Sequence, residues 1–111
     1  MKLSQKLTKE QTDPFFLNWN EKAQRISELH KRRDAQVRIE MQAGILLYKK
    51  LLEHCSDSTE KPLMPLNGEE RLAFVVSSPG NYAAFRQLDE LFSEMKKIIA
   101  GKRIQLKRME E

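Results

Sequence analysis

Apolar residues recur at intervals of three and four along most of this chain, the spacing that places them on one face of an α-helix. The first such stripe begins after Asp13-Pro14, where Asp can cap a helix and Pro suits its first position. It continues to Leu29 and ends at Lys31-Arg32-Arg33. This pattern predicts a first helix that starts at Asp13 and stops near Arg33.

A second stripe runs from Val37 to Cys55, and Asp34 can cap its start. No Gly or Pro separates Pro14 from Gly44, so one kinked helix is the alternative to two helices. We favour a turn near Arg33, because a single helix of about forty residues would be about 60 Å long.

A polar loop at residues 56–67 leads to a short third helix. Asn67 can cap this helix, and Glu70 is placed to complete a capping box with it. The helix should stop before Pro79, because proline pushes the preceding residue out of helical geometry.

The last stripe predicts a long helix that is capped by Ser78 or Asn81. Gly101 resembles its C-terminal stop, and the apolar pattern resumes only weakly beyond that residue.

These elements predict an all-α, single-domain helical bundle of about four helices, the third short and the last long. We divide the chain into a flexible lead-in (1–12), a helical domain (13–101) and a basic C-terminal extension (102–111). The predicted core residues are Trp19, Ile26, Ile45, Tyr48, Leu52, Leu72, Phe74, Phe85, Leu88, Phe92 and Met95.

Composition favours a soluble, cytoplasmic protein. Hydrophobic residues make up 40% and charged residues 32% of the 111 residues, as in charge-rich helical proteins. The longest apolar run, residues 43–48, is too short to cross a bilayer, so no membrane insertion is expected. The first residues lack the apolar segment of a signal peptide. Cys55 is the only cysteine, which excludes an internal disulfide.

Metal, cofactor and catalytic sites are not expected. His30 and His54 fall on different helices, and His54 and Cys55 point about 100° apart on one helix, so neither pair shares a metal easily. The run Ser77-Ser78-Pro79-Gly80 lacks the surroundings of a nucleophile elbow. Catalysis is therefore the least favoured class of function.

The turns at residues 65–68 and 78–81, which are marked by Pro, Gly and Asn, lie beside polar and aromatic residues. This favours a protein-binding surface, because Arg and Tyr are common interface anchors. In the alternative interpretation, these residues have a purely structural role: Arg71 forms an ion pair with Asp89 or Glu90 within the fold, and Tyr82 covers the core. The predicted partner-binding residues are Asn67, Glu69, Arg71, Asn81, Tyr82, Arg86 and Gln87.

Basic residues near the C-terminus support a second hypothesis, weak duplex nucleic-acid binding without sequence specificity. Residues 96–111 contain six basic and two acidic side chains, whereas residues 69–95 contain two basic and five acidic ones. A solvated helix face is the commoner explanation of such charge. The candidate residues are Lys96, Lys97, Lys102, Arg103, Lys107 and Arg108.

The passage Pro-Leu-Asn-Gly-Glu-Glu-Arg-Leu-Ala-Phe at residues 65–74, followed by Ser-Pro-Gly-Asn-Tyr at 78–82, resembles the YpoC-like family. Trp19 and the apolar helix around Tyr48 fit the same pattern. The resemblance implies a compact helical protein of low-GC Gram-positive bacteria, with no assigned activity. It also implies gene neighbours in DNA maintenance and envelope synthesis. The expected role is an accessory protein with an unknown protein partner.

Overall fold

The computed structural model shows an all-α chain, as predicted, and describes residues 1–59 and 61–110. Four helices of ten or more residues match the predicted number, and a one-turn helix precedes them. The helices of this part of the chain are α1 (Leu3–Lys6), α2 (Lys9–Lys31), α3 (Val37–His54), α4 (Gly68–Ser77) and α5 (Tyr82–Glu110).

The core forms where α2, α3 and α5 pack along their apolar faces. The Trp19 ring of α2 stacks on Phe92 of α5, with centroids 4.5 Å apart and planes within 8°. Tyr48 of α3 meets the same Phe92 ring edge-on at 5.2 Å. The Trp19 Nε1–H donates to the Asp89 carboxylate at 2.8 Å, so the buried indole keeps a hydrogen-bond partner.

A turn at residues 32–36 separates α2 from α3, so the preference for two helices over one kinked helix is confirmed. Arg33 is left-handed, with φ 54°. The Arg33 N–H donates to the His30 carbonyl, and the Asp34 N–H donates to the Leu29 carbonyl. This is the Schellman arrangement, which normally places Gly at the left-handed position. The Asp34 carboxylate accepts from the Gln36 N–H, so Asp34 caps the turn that leads into α3.

The predicted helix start at Asp13 is wrong. Helix α2 begins at Lys9, because the Thr8 hydroxyl caps it by accepting from the Gln11 N–H. Leu3 and Leu7 are buried and pack α1 against the bundle. Residues 1–12 therefore contain α1 and the first residues of α2.

Helix α4 starts as a left-handed turn and not as the predicted capping box. Asn67 has φ 55°, and its side chain makes no capping hydrogen bond. Its backbone carbonyl accepts from the Arg71 N–H, so the helix begins through the backbone alone. The predicted stop before Pro79 is confirmed, since α4 ends at Ser77.

Helix α5 starts at the predicted cap, because the Asn81 carboxamide oxygen accepts from the Ala83 N–H at 2.7 Å. The predicted stop at Gly101 is wrong: α5 continues to Glu110. Beyond Gly101 the helix still has packing partners, since Leu106 packs against the core and Arg103 contacts the chain at Leu7.

Most of the predicted core is buried. Phe74 is the error, with 40% of its surface exposed, and Leu52 and Leu72 are only partly buried. Helix α4 has only ten residues and buries Val75 completely, which turns the neighbouring Phe74 towards solvent. None of the helices in the described residues is long and apolar enough to cross a membrane.

Candidate partner-binding surface

Arg71 holds α4 against α5. Its guanidinium donates to the Leu66 carbonyl at 3.0 Å and pairs with both carboxylate oxygens of Glu94. With the Gln87 carboxamide oxygen turned towards it, Gln87 accepts from Nε and Nη2 at 2.9 Å. The hydrogen bond from Arg71 lowers the pKa of the Glu94 carboxyl. Arg71 and Gln87 are therefore engaged within the fold.

The predicted pairing of Arg71 is confirmed for one carboxylate only. Glu90 lies 3.9 Å from Nη2, whereas Asp89 accepts from Trp19 on another side of α5. Glu94, the main partner, lies one helical turn beyond Glu90 on the same face of α5.

The seven predicted partner-binding residues do not form a single corner. Asn67 and Glu69 lie at the start of α4, and Asn81 and Tyr82 follow its end, about 15 Å of helix away. Glu69 is exposed, and Asn81 is occupied as the cap of α5. Two separate patches result, with Arg71 and Gln87 between them.

Tyr82 and Arg86 lie one helical turn apart at the start of α5, and both are exposed. Tyr82 is 53% exposed, and its ring meets His30 of α2 edge-on at 5.2 Å. Phe85 lies beneath both rings, 5.8 Å from each. Tyr82 thus covers His30 and still presents half of its surface to solvent.

His30 is partly buried at this contact. Burial lowers the pKa of its imidazole, which favours the neutral ring at neutral pH. Its Nε2 atom is buried and has no hydrogen-bond partner in the described structure. The ring also lines two open cavities, one beside Tyr82 and one beside Arg33 and Arg38.

Two turns meet beside His30. Arg38, on the first turn of α3, lies over Gly80 in the turn between α4 and α5. Arg33 lines the same cavity as Arg38 and Gly80. We call the surface formed by His30, Arg33, Arg38, Tyr82 and Arg86 the two-turn surface.

The basic residues proposed for nucleic-acid contact differ in their surroundings. Arg103 donates through Nε to the Leu7 carbonyl at 2.8 Å and through Nη2 to the Thr12 hydroxyl at 3.4 Å. The Lys96 ammonium lies 5.9 Å from the centre of the Phe16 ring, and Lys102 is partly buried. The exposed members without such a contact are Lys97, Lys107 and Arg108.

Cys55 and His54 do not form a reactive pair. Cys55 is buried, and burial raises the pKa of its thiol to about 11, so little thiolate is present at neutral pH. The His54 Nε2 lies 2.8 Å from the Lys6 carbonyl oxygen, which ties α1 to α3. Within residues 1–59 and 61–110, no group of three or more His, Cys, Asp or Glu side chains could hold a metal ion.

The residues predicted from the sequence include Tyr82 and Arg86 of the two-turn surface, but they do not include Arg38, and the contact between Tyr82 and His30 was not predicted. Arg38 sits in an ordinary helical stretch, and only tertiary packing brings it to Gly80. The one sequence signal was the glycine itself, because a glycine in a tight turn often marks a close approach.

The family model described as YpoC-like protein matches residues 9–107, which is most of the chain. No curated protein and no solved structure matches this sequence.

Proposed function

We propose that this chain, which belongs to the YpoC-like protein family, is a non-enzymatic protein–protein interaction module of the bacterial cytosol. The partner would bind at the two-turn surface. We further propose that the module serves as an accessory in a larger complex, in line with the family resemblance of its turn motifs.

The exposure of Tyr82 carries this proposal. A tyrosine that is 53% exposed, yet fixed edge-on against His30, offers a rigid aromatic surface to a partner. A preplaced aromatic side chain loses little conformational entropy when a partner binds. Arg86 lies one turn away on the same helix, and tyrosine and arginine are among the side chains that are enriched at interface hot spots.

Partner capture from native lysate tests the proposal, with and without nuclease. The Tyr82→Ala/Arg86→Ala protein should lose partners that the wild-type protein retains after nuclease treatment. The matched control is Phe74→Ala/Arg108→Ala, which removes another part-exposed aromatic ring, 40% exposed against 53% for Tyr82, and an exposed arginine elsewhere. The control should retain the same partners. Thermal unfolding of both variants checks that the fold is intact.

Two results would contradict the proposal, one for the contact site and one for the interaction module. If the Tyr82→Ala/Arg86→Ala protein folds and keeps every nuclease-resistant partner, the two-turn surface is not the contact site. If no partner survives nuclease with the wild-type protein, the interaction module itself is rejected.

Duplex nucleic-acid binding is the second candidate, favoured by the exposed cations of α5. Lys97 and Arg108 are eleven residues apart, which is three helical turns, so they lie on one side of α5. The Lys97→Gln/Arg108→Gln protein should bind a DNA duplex more weakly than wild type, with a shallower salt dependence. These variants are preferable to truncation after Gly101, because truncation also removes Arg103, which contacts Leu7. Unchanged affinity and unchanged salt dependence would reject this candidate.

A further inference from the structure

Two open cavities adjoin at the two-turn surface and share Arg38 and Gly80. One, of about 310 Å³, lies against the turn between α2 and α3 and includes His30 and Arg33. The other, of about 390 Å³, lies against residues 77–81. Together they form one cleft between the two turns, which we call the turn cleft.

Arg38 lies close to Gly80 within the turn cleft. A Cβ atom added to Gly80 would lie 3.1 Å from Arg38 Nε and 3.3 Å from its Cζ, so the guanidinium rests on the backbone of the turn. The residue is exposed nonetheless. Arg38 lines both cavities, Gly80 adds no side chain to cover it, and a planar guanidinium suits a carboxylate or phosphate.

Neither arginine of the turn cleft has a counter-ion among the described residues. Among the residues that the structure describes, no Asp or Glu carboxylate lies within 4.0 Å of the Arg33 or Arg38 guanidinium. Asp34 is the single acidic residue that lines the cleft, and its carboxylate already accepts from the Gln36 N–H. Burial favours neutral His30, so the positive charge of the cleft comes from the two arginines.

The opposite side of the turn cleft adds neutral polar groups. Ser77, Ser78 and Asn81 line it, and the Ser78 hydroxyl lies 3.4 Å from the Ser77 hydroxyl. The Ser77 hydroxyl donates to the Phe74 carbonyl, so it can accept but has no second proton to give. Side-chain donors to an incoming anion can therefore come from the arginines, from Ser78 and from the Asn81 carboxamide nitrogen, whose oxygen alone is engaged in the cap.

From this arrangement we propose that the turn cleft binds a carboxylate side chain from an acidic segment of the protein partner. The inference rests on the proposed function and deepens it by giving the chemistry of the partner. A nucleic-acid backbone fits the cleft less well, because duplex binding draws on many phosphate contacts along an extended surface. The turn cleft is concave, is bounded by two turns and lies next to the exposed Tyr82, a protein-binding feature.

The test is an NMR titration of the isotopically labelled protein with a hexaglutamate peptide that is capped at both ends. Saturable shifts should appear at the Arg33 and Arg38 Nε–H groups and at the Gly80 and Asn81 amides, and a hexaglutamine peptide should cause none. Arg38→Gln should weaken binding about tenfold, as expected when one charge-assisted hydrogen-bonding partner is lost. Arg33→Asn, which tolerates the left-handed backbone, should act in the same direction.

Arg32→Gln is the charge-matched control, because Arg32 is an exposed arginine of the same turn that does not line the cleft. Equal weakening by Arg32→Gln and Arg38→Gln would mean diffuse charge attraction and would overturn the proposal. So would the absence of shifts at the cleft. Tighter binding of inorganic phosphate or of a DNA duplex to the same residues would replace the carboxylate with a phosphate ligand.

The two proposals fail separately. If the acidic peptide causes no shifts but Tyr82→Ala/Arg86→Ala still loses its partners, the anion site is rejected and the interaction module stands. If the peptide binds but no nuclease-resistant partner depends on Tyr82 and Arg86, the anion site stands alone.

Discussion

Gly44 faces the Trp19 ring so closely that a Cβ atom at this position would lie 2.7 Å from Cζ3 of the indole. A Cβ atom would also lie 3.3 Å from Leu88 of α5. The missing side chain therefore lets α2, α3 and α5 approach one another at the stack of Trp19 on Phe92. Trp19 cannot easily move aside, because its ring is stacked and its N–H is bound to Asp89.

We expect Gly44→Ala to destabilise the protein by up to about 2 kcal/mol. Alanine gains about 1 kcal/mol of helix propensity over glycine, but overpacking a core costs about 1–3 kcal/mol. Gly101→Ala is the matched control, because a Cβ atom there meets nothing within 4 Å. That change should stabilise the protein by up to about 1 kcal/mol. Urea unfolding followed by circular dichroism gives both values, and a Gly44→Ala protein as stable as wild type would contradict the packing argument.

Removal of the Asp89 carboxylate should leave the Trp19 N–H buried without an acceptor. We expect Asp89→Ala to lower the free energy of unfolding by about 1–3 kcal/mol. In a Trp19→Phe background, Asp89→Ala should lower the free energy of unfolding by less, with a coupling energy of about 1 kcal/mol between the two positions. Glu90→Ala, which removes a neighbouring exposed carboxylate, should change stability by under about 1 kcal/mol. A coupling near zero would show that the hydrogen bond does not stabilise the fold.

The pairing of Arg71 with Glu94 should make stability depend on pH. Arg71 lowers the pKa of Glu94 in the folded protein below its ordinary value of 4.5, so this pair stabilises the fold above that pH. The contribution is lost as pH falls through the lowered pKa. Glu94→Gln should therefore be less stable than wild type at neutral pH, by about 1 kcal/mol or less because Glu94 is partly exposed.

The difference between wild type and Glu94→Gln should close in acid, which urea unfolding at neutral and acidic pH can measure. Glu90→Gln is the control, because that carboxylate is 60% exposed and 3.9 Å from Arg71. A difference in the free energy of unfolding between wild type and Glu94→Gln that stays constant with pH would contradict an ionic interaction between Arg71 and Glu94.

Arg103 should control the docking of α1. Arg103→Met keeps an apolar stem but removes the hydrogen bonds to the Leu7 carbonyl and the Thr12 hydroxyl. Amide hydrogen exchange in residues 3–7 should accelerate about fivefold, on the order expected for the loss of one hydrogen bond. Lys107→Met, one turn further along α5 and exposed, should leave that exchange unchanged. Equal effects from both variants would reject a specific role for Arg103.

The sequence predicted the long helices well, because α2, α3 and α5 each carry an apolar stripe over several turns. The prediction was wrong where a local sequence signal for a helix end competed with a tertiary contact. Asp13-Pro14 is a good helix start in isolation, yet burial of Leu3 and Leu7 and the Thr8 cap move the start to Lys9. Gly101 likewise resembles a stop, but packing beyond it continues α5.

The candidate site was predictable only in part, for a related reason. Tyr82 was predicted as a binding residue because it follows the turn at residues 78–81. Its contact with His30 depends on how α2 lies against α5. The register between α4 and α5 decides whether Arg71 meets Asp89, Glu90 or Glu94, and a turn read from sequence does not fix that register. The apolar residues of the ten-residue α4 could not show whether Phe74 or Val75 faces the core.

The tie between Arg103 and Leu7 also bears on the order of folding. These residues are 96 positions apart, so α1 finds this anchor only after nearly all of the chain has left the ribosome. We expect α2 and α3 to pair first, since they are neighbours in sequence and form a local hairpin. Ribosome-stalled chains that end before Arg103 should show a less protected α1 than the full chain, whereas equal protection would contradict this order. Helix α1, although synthesised before the other four helices, would then be the last to complete its contacts with the bundle.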